Sequence, residues 1–305
     1  MILINRFQGS LIGLAVGDAI GTTVEFQAPG TFSPVSDMVG GGVFDLPKGS
    51  WTDDTSMALC LAESLIFRKR FDPIDQMERY VKWYCTGHLS STGVCFDIGN
   101  ATAEALQRFE RTGEPFSGSE NPYSAGNGSI MRLAPVPLYF FEDLAEAAKW
   151  SGISSRTTHA AKECVDACRL FGVMIAAAAK GMDKEELLHP ETFDFLWTQE
   201  PLAPKIGDIY KGSYKRLHPP HIQGSGYVVK SLEAALWAFY HGNSFKEGVL
   251  LAVNLGDDAD TTGAVYGQLA GAFYGLDGIP KHWADQLAMK ELILDYSSKL
   301  QHSMS

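Results

Sequence analysis

Two short acidic clusters carry the residue types best suited to chemistry in this sequence. The first is Trp51-Thr52-Asp53-Asp54-Thr55, and the second is Gly256-Asp257-Asp258-Ala259-Asp260-Thr261-Thr262. Both place carboxylates beside threonine hydroxyls and contain no histidine or cysteine. Several carboxylates that converge on one site repel one another unless cations hold them together. Oxygen ligands select hard ions such as Mg²⁺, Mn²⁺ or Ca²⁺, so the sequence predicts a two-metal enzyme.

The structural alternative is that each cluster only caps a helix. Both clusters lie where a helix is predicted to start, and Asp and Thr are residues that helix N-termini prefer. Thr52 or Asp53 would cap one helix, and Asp260 or Thr261 would cap the other. A third acidic segment, Gly17-Asp18-Ala19-Ile20-Gly21-Thr22-Thr23-Val24-Glu25, favours metal binding over capping alone.

The composition is typical of a soluble globular protein and argues against a nucleic-acid binder. Of the 305 residues, 45% are hydrophobic and 20% are charged, and the formal net charge is -11. No basic stripe is present to displace the counterions of phosphates. The densest basic run, Arg68-Lys69-Arg70, is expected at the end of a helix, where it favours the helix dipole.

The cysteines and the N-terminal sequence favour the cytoplasm. The five cysteines form no CxxC pair, and Cys164 and Cys168 lie one helical turn apart in an apolar stretch. Core packing is therefore expected there rather than a disulfide. The start of the chain lacks the basic region and cleavage site of a signal peptide. The longest apolar run, Phe171 to Ala179, is too short to span a membrane.

Helical periodicity dominates the sequence, and strict period-two alternation is nearly absent, which predicts an all-α protein. Two segments, Arg6–Gly21 and Asp260–Gly275, carry a glycine at every fourth position. Because glycine costs about 1 kcal/mol in a helix interior, we expect very close helix contact to compensate. Further helices are predicted over Thr55–Lys69, Pro73–Cys85, Ile98–Arg111, Leu144–Ser151, Ala160–Lys180, Lys184–His189, Lys230–His241, Phe245–Asn254 and Ala284–Gln301.

Three long irregular segments rich in Gly, Pro and Ser separate these helices: Gln27–Ser50, Thr112–Asn127 and Lys205–Tyr227. None of them is a convincing domain linker, because helices of similar character lie on both sides. The sequence therefore predicts a single compact domain over residues 1–305. Loops of this length in a compact domain usually bind a ligand, so we expect them to converge on the site.

Six short motifs follow one another along nearly the whole chain. They are Gly17-Asp18 with Glu25, Trp51-Thr52-Asp53-Asp54-Thr55, Ser91-Thr92-Gly93 with Phe96-Asp97-Ile98-Gly99, Gly126-Asn127-Gly128-Ser129 with Met131-Arg132, Thr158-His159, and Asn254 with Asp258-Ala259-Asp260-Thr261. Each motif alone is weak, but together and in this order they resemble the ADP-ribosylglycohydrolase family, which includes the hydrolase that reactivates dinitrogenase reductase. The resemblance implies an orthogonal all-α domain with two divalent cations, Mg²⁺ or Mn²⁺, at its centre. It also implies hydrolysis of the bond between ADP-ribose and its acceptor.

Site residues follow from the resemblance position by position. Glu25 matches a glutamate near the metals and the scissile bond, and Asp97 matches a position typical of members that act on ADP-ribosylarginine. One departure is visible, because Asp257 stands where relatives often carry glycine. It either caps the helix or alters the ion preference. The implied metal ligands are Thr52, Asp53, Asp54, Asp258, Asp260 and Thr261.

The implied reaction agrees with these residue types. Hydrolysis at an anomeric carbon passes through an oxocarbenium-like state. Hard ions hold the ribose hydroxyls and lower the pKa of a bound water toward neutrality. Glu25 and Asp97 are the candidates to move protons. Acid and base are not assigned separately, because a guanidine leaving group depends less on protonation than a simple amine does.

The diphosphate requires hydrogen-bond donors, and Gly126-Asn127-Gly128-Ser129 offers unobstructed backbone N–H groups. Alone this segment is typical of an ordinary turn. His159 is expected either to cap the following helix or to hydrogen-bond phosphate. Tyr227 is a candidate platform for adenine, since aromatic faces stack on bases, and its alternative is core packing. The resemblance further implies substrate contacts at Gly99, Asn127, Gly128 and Ser129.

The sequence thus favours a metal-dependent hydrolase of ADP-ribosylarginine that acts on a modified protein and releases ADP-ribose. One alternative is the same scaffold acting on another linkage, such as O-linked ADP-ribose on serine, ADP-ribosylated nucleic acid or a free ester. Phe96-Asp97-Ile98-Gly99 favours arginine, and the acidic composition disfavours nucleic acid. A second alternative is a relative that only binds ADP-ribose or has a structural role, which the complete ligand set disfavours. No membrane partner is expected.

Overall fold

Fifteen α-helices account for most of the chain that the computed structural model describes, residues 2–302. Within this range the β-structure is limited to isolated bridges, which confirms the all-α prediction. Met1 and residues 303–305 of the predicted domain lie outside the described residues. The helices are α1 (Leu3–Gly21), α2 (Asp53–Arg68), α3 (Pro73–Thr86), α4 (Asn100–Thr112), α5 (Pro135–Tyr139), α6 (Leu144–Ser155), α7 (Lys162–Lys180), α8 (Lys184–Leu187), α9 (Asp194–Trp197), α10 (Pro204–Tyr210), α11 (Val228–His241), α12 (Phe245–Val253), α13 (Ala259–Tyr274), α14 (Lys281–Gln286) and α15 (Lys290–His302).

The two glycine-rich helices, α1 and α13, lie antiparallel against each other at the centre of the fold. A Cβ atom added to Gly13 would lie 2.3 Å from the Gly267 carbonyl oxygen, and one added to Gly17 would lie 2.0 Å from the Gly263 oxygen. These distances are well below van der Waals contact, so only glycine permits this approach. The expectation that close helix contact compensates for the glycines is confirmed. The buried dispersion contacts along both backbones offset the low helix propensity.

The other helices surround this central pair. Helix α7 packs against α6 and α13, helices α11 and α12 pack against α13, and α15 packs against α1 and α2. Cys164 and Cys168 are buried free thiols on α7, as core packing predicts. None of the helices within residues 2–302 is long and apolar enough to cross a bilayer.

The prediction of one helix over residues 284–301 is wrong, because α14 ends at Gln286 and α15 begins at Lys290. Met289 in the break has a φ of 50°. The Ala288 amide donates to the Gly49 oxygen at 2.9 Å, and the Ala288 oxygen accepts from Trp51 Nε1 at 3.3 Å. These tertiary bonds outweigh the helical periodicity. They also hold Trp51, the first residue of the first acidic cluster, in place.

Other boundaries differ from the predictions for local reasons. Helix α4 begins at Asn100 rather than at Ile98, because the N-cap residue Gly99 is extended, with a ψ of 147°. The segment predicted as irregular over Lys205–Tyr227 contains most of α10 and a 3₁₀ turn. Helices α5 and α9 are short and carry too little periodicity for prediction. The basic run is placed as expected, since α2 ends at Arg68 and Lys69 adopts the left-handed C-cap conformation.

Candidate active site

The N-termini of α2 and α13 meet, and their acidic clusters come together beside α1. Thr52 Oγ1, at the start of α2, lies 3.2 Å from Asp260 Oδ2 in the first turn of α13. Thr261 Oγ1 lies 3.4 Å from Asp54 Oδ2. The structure therefore brings the two halves of the sequence-predicted ligand set into one site. All six side chains are largely or fully buried: Thr52, Asp53, Asp54, Asp258, Asp260 and Thr261.

Asp18 on α1 caps α2, so the prediction that Thr52 or Asp53 caps this helix is wrong. Thr52 occupies the N-cap position without a side-chain cap bond. Asp18 Oδ1 accepts from the Thr52 amide at 2.9 Å, and Oδ2 accepts from the Thr55 amide at 3.1 Å and from Thr55 Oγ1 at 2.6 Å. Asp18 is fully buried, and the glycine stripe on its own helix brings it this close to α2.

Glu25 has the corresponding role at α13, where the sequence predicts Asp260 or Thr261 as the cap. Glu25 Oε2 accepts from the Ala259 amide at 2.7 Å and from the Asp260 amide at 3.1 Å. The N-cap residue Asp258 makes no side-chain cap bond. Because the segment containing Asp18 and Glu25 caps both helices, the carboxylates of the two clusters are left available for other ligands.

The donor set fits a hard cation. One carboxylate oxygen from each of Glu25, Asp258 and Asp260 lies within 4.8 Å of the others. Asp54 Oδ1 is buried without a hydrogen-bond partner among the described residues. A buried carboxylate oxygen without a donor is costly unless a cation balances it. Carboxylate and hydroxyl oxygens are the ligands of magnesium, manganese and calcium.

The carboxylates of the site strongly perturb one another. Burial, followed by the charge of Asp260, raises the pKa of Asp18 and Asp258 to about 7. The same two causes raise the pKa of Asp97 to about 10 and that of Glu25 to about 12. Burial and the charge of Asp260 also raise the pKa values of two further acids well above their usual range, Asp53 and Asp54. The metal-free site therefore retains protons near neutral pH, and bound cations would take the place of those protons.

A cavity of about 420 Å³ opens onto the acidic cluster. Asp97 lies in its wall, close enough to Asp260 for the two carboxyl groups to interact. Thr52 and Asp54 lie behind the wall, where they contact the other clustered side chains. The predicted site residues that line this cavity are Glu25, Asp53, Asp97, Gly99, Asn127, Gly128, His159, Asp258, Asp260 and Thr261.

A buried hydrogen-bond relay orients His159 toward this cavity. Arg132 Nη2 donates to Thr158 Oγ1 at 2.6 Å, and Thr158 Oγ1 lies 2.8 Å from His159 Nδ1. Because the Thr158 hydroxyl accepts from arginine, its own proton is available for Nδ1, and in the tautomer that accepts it Nε2 carries the ring proton. Nε2 faces Gly128, where an added Cβ would lie 3.1 Å away. Burial lowers the pKa of His159 to about 3, so the ring is neutral.

Comparison with known proteins agrees with this geometry. The sequence model of a family described as ADP-ribosylglycohydrolase matches residues 1–305. The chain belongs to the ADP-ribosylglycohydrolase family. This confirms the resemblance carried by the six sequence motifs.

Similar members of the ADP-ribosylglycohydrolase family cover almost the whole chain. An ADP-ribosylarginine hydrolase Tri1 from Pseudomonas putida is 45% identical over 298 residues, which span 97% of this chain and 78% of the relative. The ADP-ribosyl-[dinitrogen reductase] glycohydrolase of Rhodospirillum rubrum is 35% identical, over 94% of this chain and 91% of the relative. A solved structure titled "ADP-ribosylglycohydrolase-related protein complex" superposes with a TM-score of 0.87 at 43% identity, covering 99% of both chains.

The turn that the ADP-ribosylglycohydrolase resemblance assigns to substrate faces the cavity only in part. The Asn127 amide donates to the Gly226 oxygen at 3.0 Å, and Asn127 Nδ2 donates to Asp258 Oδ2 at 2.7 Å. The Ser129 hydroxyl accepts from Ser155 Oγ at 2.8 Å and therefore lies away from the cavity. Within residues 2–302 the amides of Gly128 and Ser129 have no hydrogen-bond acceptor. These two amides are the donors that the turn retains.

Tyr227 lies in a second cavity, of about 710 Å³, which shares Gly126 and Gly226 with the first. Its hydroxyl donates to Glu163 Oε2 at 2.5 Å and accepts from Lys205 Nζ at 2.7 Å. The two cavities are therefore neighbours. His159 does not cap α7, because Ala161 is the N-cap residue of that helix and makes no side-chain cap bond.

Several residues that shape the site of this ADP-ribosylglycohydrolase were not predicted from the sequence as site residues. Arg132 and Thr158 orient His159, but in the sequence they appear only as neighbours within motifs. Phe26 lines the cavity with 65% of its surface exposed. Its position directly after Glu25 is the signal that would have identified it. Asp18 shows itself in the sequence as a charged residue inside an otherwise apolar glycine-rich helix.

Proposed function

We propose that this protein is a metal-dependent hydrolase that removes ADP-ribose from arginine side chains of modified proteins, and that residues 1–305 form the single domain carrying the activity. The observation that carries the proposal is the cluster of Glu25, Asp258 and Asp260 at the wall of a cavity that Asp97 also lines. Membership of the ADP-ribosylglycohydrolase family supports the reaction class. Two relatives named ADP-ribosylarginine hydrolase, at 45% and 42% identity, support the arginine linkage.

The metal ions of the proposed site are two Mg²⁺ or Mn²⁺ ions. The ligand set contains four carboxylates, and two divalent cations would balance their charge. When bound, such ions hold ribose hydroxyls and supply a water of lowered pKa as the nucleophile. The proposed ligands are Thr52, Asp53, Asp54, Asp258, Asp260 and Thr261.

Glu25 and Asp97 are the proposed proton carriers. Glu25 Oε2 is occupied by two amides at the start of α13, so exchange of a proton falls to Oε1. Asp97 lies outside α4 in a left-handed conformation that directs its carboxyl group toward Asp260. A carboxyl group positioned beside the anomeric carbon accelerates the reaction by about 10²- to 10⁴-fold.

The proposed diphosphate donors are the His159 Nε2–H group and the free amides of Gly128 and Ser129. The N-cap residue of α4 is Gly99, which has no side chain to occupy the first amides of that helix. These amides add further donors at the cavity wall. Tyr227 in the adjoining cavity is the proposed support for adenine. These groups bind the product without taking part in bond cleavage.

A panel of modified substrates tests the proposed function. The metal-loaded protein is incubated with peptides carrying ADP-ribose on arginine or on serine, with an ADP-ribosylated nucleic acid and with a free ADP-ribose ester, and released ADP-ribose is measured. Release from the arginine peptide alone is expected. Preferential release from another substrate contradicts the arginine linkage, and binding of ADP-ribose without any release contradicts catalysis.

The cellular compartment is also a proposal. Every cysteine in the chain is a free thiol, and Cys60, Cys164 and Cys168 are buried. Burial raises the pKa of the Cys168 thiol to about 11, which makes it unreactive. This cysteine usage fits a reducing compartment, so we place the protein in the cytoplasm.

Metal is expected to stabilise the protein most at alkaline pH. Carboxylates titrate near pH 4 in unfolded chains, whereas the pKa values of Asp18 and Asp258 are about 7 in the metal-free fold. Between these values the folded state binds more protons than the unfolded state, so its stability falls as the pH rises. Bound cations replace those protons and remove this loss.

Thermal melting measures this effect. With chelator, the melting temperature is expected to decrease as the pH is raised from about 5.5 to about 8. Saturating Mn²⁺ at the higher pH is expected to raise it by about 5 °C or more. Equal midpoints with chelator and with Mn²⁺ at the higher pH would contradict a shared metal site.

The relay to His159 makes Thr158→Val a test of diphosphate binding. Valine removes the donor to His159 Nδ1 and the acceptor of Arg132, so the Nε2–H form is no longer fixed. The Kd for ADP-ribose, measured by calorimetry, is expected to rise about five- to tenfold, the effect of one hydrogen bond. Thr157→Val is the matched control, because it removes buried bonds to Gln76 and Ser154 without touching His159. Equal weakening by both variants would show that the relay only supports folding.

A further inference from the structure

Three aromatic side chains contact one another beside the acidic cavity, and Phe26 is the one that lines it. Phe26 and Phe44 have ring centroids 6.3 Å apart with an interplanar angle of 74°, and Phe44 and Phe96 lie 5.3 Å apart at 62°. Phe26 is 65% exposed, and the other two are partly exposed. We call Phe26, Phe44 and Phe96 the aromatic rim.

The aromatic rim connects the two segments that carry the proposed proton carriers. Phe26 directly follows Glu25, and Phe96 directly precedes Asp97. Phe44, from the long loop before α2, lies between their rings and contacts both. A group that leaves an anomeric carbon between Glu25 and Asp97 would therefore leave beside Phe26, which lines the same cavity.

The backbone at Phe26 is strained. Its φ is 61°, a conformation rarely adopted by a bulky residue. The strain is held by the Phe26 amide, which donates to the Asp257 oxygen at 2.7 Å, and by the Asp257 amide, which donates to the Gln27 oxygen at 2.8 Å. A ring that remains largely exposed gains little from core packing. Such strain persists where the conformation has a functional use, here the presentation of an aromatic face at the cavity mouth.

The groups at the cavity mouth suit a planar cation that donates hydrogen bonds. Two divalent ions balance the four carboxylates of the proposed ligand set, which leaves Glu25 and Asp97 beside the rim. A planar cation stacks on an aromatic face, and guanidinium does so more readily than ammonium because it is flat and weakly hydrated. An exposed aromatic face beside the carboxyl oxygens of Glu25 and Asp97, which accept hydrogen bonds, therefore matches the guanidinium group of arginine.

We propose that the aromatic rim binds the guanidinium group and aliphatic stem of the substrate arginine, and that it thereby selects arginine-linked ADP-ribose over linkages to hydroxyl side chains. The inference rests on the proposed function, because that function puts the leaving group between Glu25 and Asp97. A serine leaving group has neither a cationic plane nor a stem that reaches Phe26. Phe26, the most exposed member of the rim, is the specificity-determining residue.

Two substitutions of Phe26 distinguish a contribution of its aromatic face from a contribution of its apolar volume. Phe26→Leu keeps an apolar side chain without a π face, and Phe26→Trp keeps the face. With the Mg²⁺-loaded protein, KM for an ADP-ribosylarginine peptide is expected to rise about tenfold in Phe26→Leu and to return to the wild-type value in Phe26→Trp. We expect kcat and the Kd for ADP-ribose to stay within about twofold. Phe195→Leu, with 62% exposure on α9, is the matched control.

A second measurement does not depend on turnover. Agmatine carries a guanidinium group on an aliphatic stem, and calorimetry of the Mg²⁺-loaded protein saturated with ADP-ribose reports its binding. Affinity is expected to fall about tenfold in Phe26→Leu and to recover in Phe26→Trp. Equal agmatine affinity in wild type and Phe26→Leu, or no binding to wild type, overturns the inference. If wild type cleaves only another linkage, the proposed function fails, and Phe26-dependent agmatine binding still supports guanidinium recognition.

Discussion

Gly17→Ala is expected to lower the free energy of unfolding by about 2–3 kcal/mol, because the added methyl group overpacks the contact between α1 and α13. The new Cβ would lie 2.0 Å from the Gly263 oxygen, a backbone atom that moves only if the helices separate. The gain of about 1 kcal/mol in helix propensity does not offset this cost. Separation also displaces the neighbouring Asp18, so the affinity for Mn²⁺ is expected to fall as well.

Denaturant unfolding of Gly17→Ala and Gly207→Ala provides the comparison. Gly207 lies in α10, has no heavy atom within 4 Å of an added Cβ, and has an ordinary φ. Alanine there is expected to raise the stability by up to about 1 kcal/mol. A gain of stability in both variants would show that α1 and α13 leave room for a methyl group at Gly17, which contradicts the close contact of the two helices.

Asp97→Asn is expected to reduce the turnover of ADP-ribosylarginine by about 10²-fold or more, the scale of a lost proton carrier. Asparagine has nearly the same size as aspartate and tolerates the left-handed conformation, so the turn at φ 59° is retained. Affinity for ADP-ribose is expected to change little, because the proposed diphosphate and adenine contacts lie elsewhere in the two cavities. Glu25→Gln is expected to lower turnover similarly and to weaken metal binding.

Single-turnover rates and calorimetric ADP-ribose binding together check this result. Asp45→Asn is the matched control, because Asp45 is exposed and has a φ of 49° but lies outside the cavity wall. Wild-type turnover by Asp97→Asn would leave Asp97 as a turn residue before α4. The arginine preference would then depend on the aromatic rim alone.

The central helix pair follows from the sequence because its cause is local. A glycine at every fourth position of two helices has few physical explanations, and close helix contact is the one found here. The break between α14 and α15 could not be predicted in this way. It depends on the bond that the Ala288 amide donates to Gly49 and the bond that the Ala288 oxygen accepts from Trp51, and both partners lie more than two hundred residues away in the sequence. Periodicity carries no information about such bonds.

The candidate site was likewise predictable from the sequence only where the cause is local. Clustered carboxylates predict cation binding from charge alone, and the clusters do converge. Which residue caps each helix was assigned wrongly, since capping preferences consider only neighbours in sequence. Asp18 and Glu25 reach α2 and α13 through tertiary structure. The role of Arg132 also required coordinates, because a chain of three side chains leads from it to the ring proton of His159.

The glycine stripe leaves one ambiguity in folding that the proposed metal site would resolve. If α1 slid by four residues, about 6 Å, against α13, glycine would still face glycine at most positions, so the stripe alone does not determine the alignment. Polar bonds such as the one from Ser10 to the Gln268 oxygen distinguish the native alignment. A misaligned pair would carry Glu25 away from the start of α13. Cations that bind only to the assembled site would then stabilise the native alignment of the two helices and not the misaligned one.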